Sequence, residues 1–460
     1  MAVPLFPQRV VDVPALIDSV PVSAFQRWLM VLVGCVVVVD GFDVQAMGFV
    51  APSIIKAWSV NKAALGPVFG AGLFGMLLGS LALSVLADRI GRRPVLIGAT
   101  LFFSLCMLAT AWARSLEQLL LIRFVTGIGL GGIMANAMAL VGEYSPARRR
   151  VSLMMWVSCG FTAGAVLGGI MSALLIPWAG WQAVFIFGGV VPLVMTGLMC
   201  LYLPESLQFL VLRQRRLHQV RHWLGKIAPH VVMGDGVVFS VPEQKSRGAP
   251  VAELFREGRG GRTLLLWAIN FANLLNLFFL ANWLPTLATM AGRQQSVAVW
   301  LGTTLQMGGV VGTLLMGPLI DRFGFYRVLI PGFLVGALGI GLMGQALLPM
   351  TLLYAVVAVG GFCIVGGQPA VNALAATTYP TDLRATGIGW SLGIGRAGSI
   401  VGPVLAGYLI GQQWSTEELF LAAAVPAVCS GALLLWMGRM RPAASSPVAQ
   451  PTIETMGIST

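Results

Sequence analysis

Apolar stretches near twenty residues recur along the whole chain, separated by short polar or basic segments. Each is long enough to cross a hydrocarbon core of about 30 Å as a helix. Strict alternation of apolar and polar positions is absent. Only a helix satisfies its own backbone within lipid, so helices are expected rather than barrel strands. The pattern predicts twelve spans, near 27–50, 64–87, 94–112, 117–141, 152–176, 181–203, 264–290, 297–320, 327–346, 350–375, 385–411 and 417–438. The expected organisation is a leading segment at 1–26, a six-helix bundle over 27–203, and a polar linker at 204–263. A second six-helix bundle over 264–438 and a Pro-, Ser-, Ala- and Thr-rich tail at 439–460 complete it. The tail is expected to be disordered.

Composition excludes a soluble globule. Hydrophobic residues make up 57% of the 460 positions and charged residues 10%, too little polar surface to solvate the fold. A net charge of +12 would suit nucleic acid, but its distribution argues against that partner. Of the 29 Lys and Arg, 23 precede span one, follow an even-numbered span or follow span twelve. The other connections hold only Lys56, Lys62, Arg114 and Arg293, and Arg123 and Arg396 lie inside spans. The asymmetry sets topology, with both termini expected in the cytoplasm. Any attraction to anionic lipid is secondary.

Residues 1–24 carry Pro4, Pro7, Pro14 and Pro21, and no cleavable leader is expected there. All six cysteines fall in apolar runs without a CxxC pair, which reads as buried small hydrophobes. His218, His222 and His230 all sit in the linker, with no acid or cysteine at ligand spacing. A solvated linker is the expectation there, and neither a metal nor an organic cofactor is expected.

The two halves repeat. Asp88-Arg89-Ile-Gly91-Arg92-Arg93 follows span two, and Asp321-Arg322-Phe-Gly324 follows span eight at an offset of 233 residues. Glu143-Tyr144-Ser-Pro146-Ala-Arg148 after span four is echoed by Tyr379-Pro380-Thr-Asp382-Leu-Arg384 after span ten. Two related bundles around a midplane site follow from such a repeat. Glycines spaced by four, such as Gly75/Gly79, Gly160/Gly164/Gly168 and Gly398/Gly402, suit either close helix packing or sliding.

Asp40-Gly41-Phe42-Asp43 lies within span one. A charge at the bilayer centre costs about 2.5–3.5 kcal/mol on insertion scales, so two acids there need a role. At i and i+3 they share a helical face. Counting ~1.5 Å per residue puts Asp43 ~22 Å from the start of its span and Arg123 ~10 Å below the opposite surface, near the same depth. The two can pair. Two ionised carboxylates ~6 Å apart repel by about 3 kcal/mol at an effective dielectric of 20, so one of them is expected to carry a proton. Asp43 is the stronger candidate, being nearer the depth of Arg123. Arg396, ~17 Å inside span eleven, can hold an anionic substrate in its planar fork or bond neighbouring helices. Asn270, Asn273 and Asn276 form a stripe at three-residue spacing that can hydrogen-bond a ring hydroxyl, with Gln306, Gln368 and Asn372 as weaker candidates. Trp267, Phe271, Phe278, Trp283 and Trp390 are candidates for stacking, interfacial anchoring or packing.

The Asp-Arg-x-Gly-Arg-Arg loop and its echo resemble the major facilitator superfamily. Arg123-x-x-x-Gly127-x-Gly129-x-Gly131 and Leu203-Pro204-Glu205-Ser206 extend the likeness over nearly the whole chain. Asp40-Gly41-Phe42-Asp43, Ala63-Ala-Leu-Gly66-Pro67, Glu143 through Arg150, and Arg384-Ala-Thr-Gly387 leading to Arg396 resemble the aromatic acid:proton symporters of bacteria. The resemblance implies twelve helices in two bundles related by a pseudo-two-fold axis, in the bacterial cytoplasmic membrane, importing a hydroxybenzoate-like carboxylate with protons. Coupling falls to Asp40 and Asp43. Substrate recognition falls to Arg123 and Arg396, joined by Asn273, Asn276 and Trp390 from the residue reading. Gating falls to Asp88, Arg89, Arg92, Glu143, Asp321, Arg322 and Arg384, the last also readable as a topology residue. The 4-hydroxybenzoate carriers that the chain resembles have histidines where it carries Gln182 and Tyr326.

A transporter rather than an enzyme is expected, acting as a monomer with protons as the coupling ion. A proton-coupled exporter, a carrier of another small organic acid, and a transporter-derived sensor share the architecture. Span five lacks the Gly-Pro pair of the superfamily's antiporters, which disfavours export.

Overall fold

The computed structural model describes residues 10–214, 216–229, 237–241, 251–345, 348–380 and 383–440. His230, Asp382 and the tail from residue 441 lie outside the described residues. The elements run β1 (Val10–Asp12), α1 (Val13–Ser19), α2 (Ala24–Trp58), α3 (Leu65–Ile90), α4 (Arg92–Ala111), α5 (Leu116–Tyr144), α6 (Ala147–Tyr202), α7 (Leu207–Leu212) and α8 (Leu217–Ile227). The second half follows as β2 (Val238–Ser240), α9 (Gly260–Met290), α10 (Gln295–Phe323), α11 (Phe325–Met343), α12 (Met350–Gly360), α13 (Gly367–Thr378), α14 (Arg384–Gly411) and α15 (Thr416–Arg439).

Eleven described helices are long and apolar enough to cross a membrane. They make twelve crossings because α6 holds two, joined at Gly180, whose φ of 78° and ψ of 177° leave the helical region. Glycine adopts that conformation without a Cβ penalty. Span ten is also composite: α12 and α13 are joined by one π turn at Gly361–Val365. Such wide turns free a carbonyl from the helix ladder and recur at functional sites. An even number of crossings puts both termini on one side, here the terminal face.

Helices α2–α6 form the first bundle and α9–α15 the second, and the four-residue glycine faces pack inside them. Gly75 and Gly79 of α3 abut backbone at Phe124 and Ile128 of α5, and Gly398 and Gly402 of α14 abut backbone at Phe271 and Leu275 of α9. The bundles meet on the side away from the termini. There Gly48 abuts the Ala281 carbonyl, Gly66 abuts Gly407, and Gly169 abuts Thr303. Phe69 sets its ring edge-on to Trp283 at 5.2 Å, and Gln295 donates to Ser53 Oγ. These contacts between the bundles all lie on the side away from the termini. The cleft between them therefore opens to the terminal face.

The linker departs from the solvated segment that its composition suggests. Its helices α7 and α8 bury Leu207, Leu210, Val220, Leu224 and Ile227. Trp223 stacks on Phe25 of α2 at 5.1 Å, with Lys226 over the Trp223 ring. β1 pairs in parallel with β2, Val10 opposite Val238, which ties the leading segment to the linker. Amphipathic patterning explains the correction: α8 is polar on average, yet one face is apolar and finds the underside of the first bundle. His218 and His222 are on its exposed face.

Candidate functional site

Residues 39–52 of α2 are all buried, which makes it the central helix of the first bundle. A Cβ on Gly41 would come within 1.9 Å of the Phe161 carbonyl oxygen. Gly41 therefore serves a close α2–α6 approach, and the helix continues unbroken through both acids.

Asp43 is fully buried and paired. Arg123 of α5 donates from Nη1 to Oδ1 at 2.9 Å and from Nη2 to Oδ2 at 3.1 Å, and Nη2 also reaches the Asp43 carbonyl at 3.4 Å. This two-pronged geometry suits a guanidinium and a carboxylate, and it offsets the burial of both charges. Arg123 is 5% exposed and is occupied by Asp43, beside a narrow cavity lined by Met47, Phe69, Met76 and Asn282.

Asp40 is different. It is 1% exposed, and neither carboxylate oxygen has a hydrogen-bond partner. The charged groups acting on it are Arg396 of α14, in the opposite bundle, and Asp43. Arg396 is half-buried, and among the described residues its guanidinium forms no ion pair within 4 Å. An acid and a base from opposite bundles thus lie within electrostatic reach of one another, below the level at which Gly48 and Ala281 meet.

The second bundle contributes a polar layer. Gln368 of α13 is its hub, donating to Asn270 Oδ1 at 2.8 Å and to Asn372 Oδ1 at 3.1 Å while accepting from Asn273 Nδ2 at 2.6 Å. Asn270 also donates to Ser391 Oγ at 2.8 Å, and Asn273 Nδ2 reaches the Ile364 carbonyl in the π turn at 3.4 Å. Asn276 is fully buried, and its amide has no partner on either atom. Trp390 stands apart from this layer. It is 44% exposed, two turns into α14, and stacks on Trp267 at 5.8 Å near the mouth of the cleft.

The loop charges divide into two sets. Arg92 pairs with Glu143, which also accepts from Ser206 Oγ at 2.6 Å. Glu205 accepts from the Arg92 and Arg93 backbone N–H groups at 2.9 and 3.1 Å, placing a carboxylate on the positive end of α4. These contacts brace α4 and α5 of the first bundle against the start of α7. Asp88, Arg89, Asp321, Arg322 and Arg384 are all exposed at the terminal face, where the cleft is open.

Sequence reasoning brought Asp43 to Arg123 but missed three features. Ser391 and Gln45 are buried polar residues inside apolar runs, a signal visible in the pattern. The capping role of Glu205 had only its position after Pro204 to announce it. The Phe69–Trp283 contact left no local trace. Gln182 lies just past Gly180 at the face away from the termini, and Tyr326 lies at the terminal face against Gly438. Both positions are remote from Asp40.

The model of the Major Facilitator Superfamily matches residues 33–291 and 266–456. A 4-hydroxybenzoate transporter of Pseudomonas putida is 41% identical over 418 residues, covering 90% of this chain and 93% of the relative. A gallate transporter of Pseudomonas putida is 38% identical, covering 96% and 98%, and a benzoate transport protein of Acinetobacter baylyi is 31% identical, covering 91% of each. Among solved structures, a D-xylose-proton symporter superposes with a TM-score of 0.68 at 16% identity, covering 90% of this chain and 98% of that one. That likeness concerns the fold. With the twelve crossings, the two bundles and the buried acid–base groups between them, the chain belongs to the major facilitator superfamily as a membrane transporter of its aromatic-acid branch, not an enzyme.

Proposed function

We propose that the protein imports a hydroxybenzoate-like aromatic carboxylate together with protons by alternating access, across the bacterial cytoplasmic membrane. The terminal face is cytoplasmic, as the excess of Lys and Arg on that side requires. One observation carries the reading: Asp40, buried without a hydrogen-bond partner, comes under the charge of Arg396 from the opposite bundle, whose guanidinium forms no ion pair within 4 Å among the described residues. A proton on Asp40 leaves Arg396 free to hold the substrate carboxylate in its fork. Once that proton leaves toward the cytoplasm, the Asp40 carboxylate competes for Arg396 and favours release of the substrate. Asp43, held in the Arg123 fork, fixes α2 against α5. The proton-carrying role thus passes to Asp40, because Asp43 already has a cation. One proton with one monoanion makes the step electroneutral, driven by the pH gradient.

Uptake of labelled 4-hydroxybenzoate into proteoliposomes of known orientation tests this. An inward proton gradient is expected to drive accumulation. Asp40→Asn is expected to abolish gradient-driven accumulation while leaving exchange of substrate for substrate intact. Accumulation that ignores the gradient, or that survives in Asp40→Asn, overturns the coupling. Transport favoured in the opposite direction supports the exporter instead.

A further inference from the structure

We propose that Asn276, with the free carbonyl oxygen of Asn273, forms a subsite for a ring hydroxyl and makes the carrier select hydroxylated over unsubstituted aromatic acids. The inference rests on the reading of Arg396 as the carboxylate site.

Two sets of helix contacts fix the levels. Gly48 of α2 abuts Ala281 of α9 where the bundles meet, an offset of 233 residues and the same that separates Asp88 from Asp321. By that offset, Asn273 is the second-bundle counterpart of Asp40, and Asn276 of Asp43. The pseudo-two-fold axis thus sets two acids opposite two amides. Gly395, Gly398 and Gly402 of α14 pack on Asn270, Phe271 and Leu275 of α9, so Arg396 is level with about Asn270. At 1.5 Å per residue, Asn273 lies ~4.5 Å and Asn276 ~9 Å beyond Arg396 toward the closed end. A hydroxybenzoate whose carboxylate sits on Arg396 directs its ring hydroxyl into that interval.

The hydrogen-bond inventory separates reader from scaffold. An asparagine amide offers two donors and one acceptor. Asn270 spends its amide on Ser391 and Gln368, and Asn273 spends its nitrogen on Gln368 and the Ile364 carbonyl. Asn273 Oδ1 and both polar atoms of Asn276 are buried without a partner. Unmade hydrogen bonds at buried amides are rare and costly, which points to a ligand that completes them. A phenolic hydroxyl is both donor and acceptor, so an amide that keeps both functions unspent matches it. Asparagine supplies this without adding a further charge beside Asp40 and Arg396. A site built around a substrate hydroxyl discriminates strongly against the analogue that lacks it.

The test measures uptake of labelled benzoate, 3-hydroxybenzoate and 4-hydroxybenzoate by the full-length protein and by Asn276→Leu in proteoliposomes. The parent is expected to favour the hydroxylated acids. In Asn276→Leu, apparent affinity for 4-hydroxybenzoate is expected to fall ~10–100-fold, the loss of one to two buried hydrogen bonds, while benzoate stays within about threefold. Asn276→Ser keeps a hydroxyl at shorter reach and is expected to fall between the two. It carries the same ratio test if the leucine variant does not reach the membrane. A parallel loss for all three acids, or an unchanged ratio, overturns the subsite. A parent that takes up none of them, or an Arg396→Leu variant that still binds benzoate at parental affinity, overturns the underlying carboxylate reading instead.

Discussion

Replacing Asp43 with asparagine removes the anion around which Arg123 is placed. Both groups are within 5% of complete burial, and three N–H···O contacts join them, at 2.9, 3.1 and 3.4 Å. Among the described residues the guanidinium has one further polar contact, Met107 Sδ at 3.6 Å. Removing one partner of such a pair costs about 3–5 kcal/mol, against about 0.2–1 kcal/mol for an exposed pair. Arginine cannot shed its proton, whereas an orphaned carboxylate can take one up. Asp43→Asn is therefore expected to destabilise by ~3 kcal/mol or more, and Arg123→Leu by less. The double variant, which leaves neither charge unpaired, is expected to be more stable than Asp43→Asn alone, with a coupling of ~2 kcal/mol or more. Unfolding by SDS titration in mixed micelles reads all four proteins at one lipid composition. Strict additivity, or two single variants each within ~1 kcal/mol of the parent, would refute the claim that this pair holds α2 to α5.

The remaining predictions concern packing and closure. Gly41→Ala is expected to abolish accumulation of folded protein, because its Cβ would meet the Phe161 carbonyl at 1.9 Å, whereas Gly98→Ala, with nothing within 4 Å, is expected to behave like the parent. Yield of monodisperse protein after extraction checks both. Ser53→Cys with Gln295→Cys, bridged by a short cross-linker, is expected to hold the bundles together on the side away from the termini and stop uptake. Reduction of a cleavable linker should restore uptake, and unimpaired transport by the cross-linked protein would contradict that placement of the closed side.

Much of the fold was legible because lipid imposes a one-dimensional order on a chain. Apolar length and loop charge sufficed to predict the twelve crossings. A constant rise per residue was enough to put Asp43 and Arg123 at one depth before any contact was known. The linker misled because average polarity conceals a face: Val220, Leu224 and Ile227 bury themselves although the segment as a whole is polar. The stacking of Trp390 on Trp267 left no such trace, since an aromatic in a span reads alike whether it stacks, anchors or packs.

Span number, repeat, approximate depth and the kinds of chemistry available were determined by the sequence alone, because each is read from local patterns along the chain or from their recurrence. Which way a side chain turns, and what it meets, was decided only by tertiary packing. Asp40 and Asp43 are three residues apart on one helix and identical in type. The fold gave Asp43 the Arg123 fork and left Asp40 under the charge of Arg396, because α5 packs on α2 within one bundle whereas α14 belongs to the other. The same packing spent Asn270 Oδ1 and Asn273 Nδ2 on Gln368 and left both polar atoms of Asn276 unspent. Depth follows from counting along a helix, whereas rotation and partners follow from contacts between segments more than a hundred residues apart.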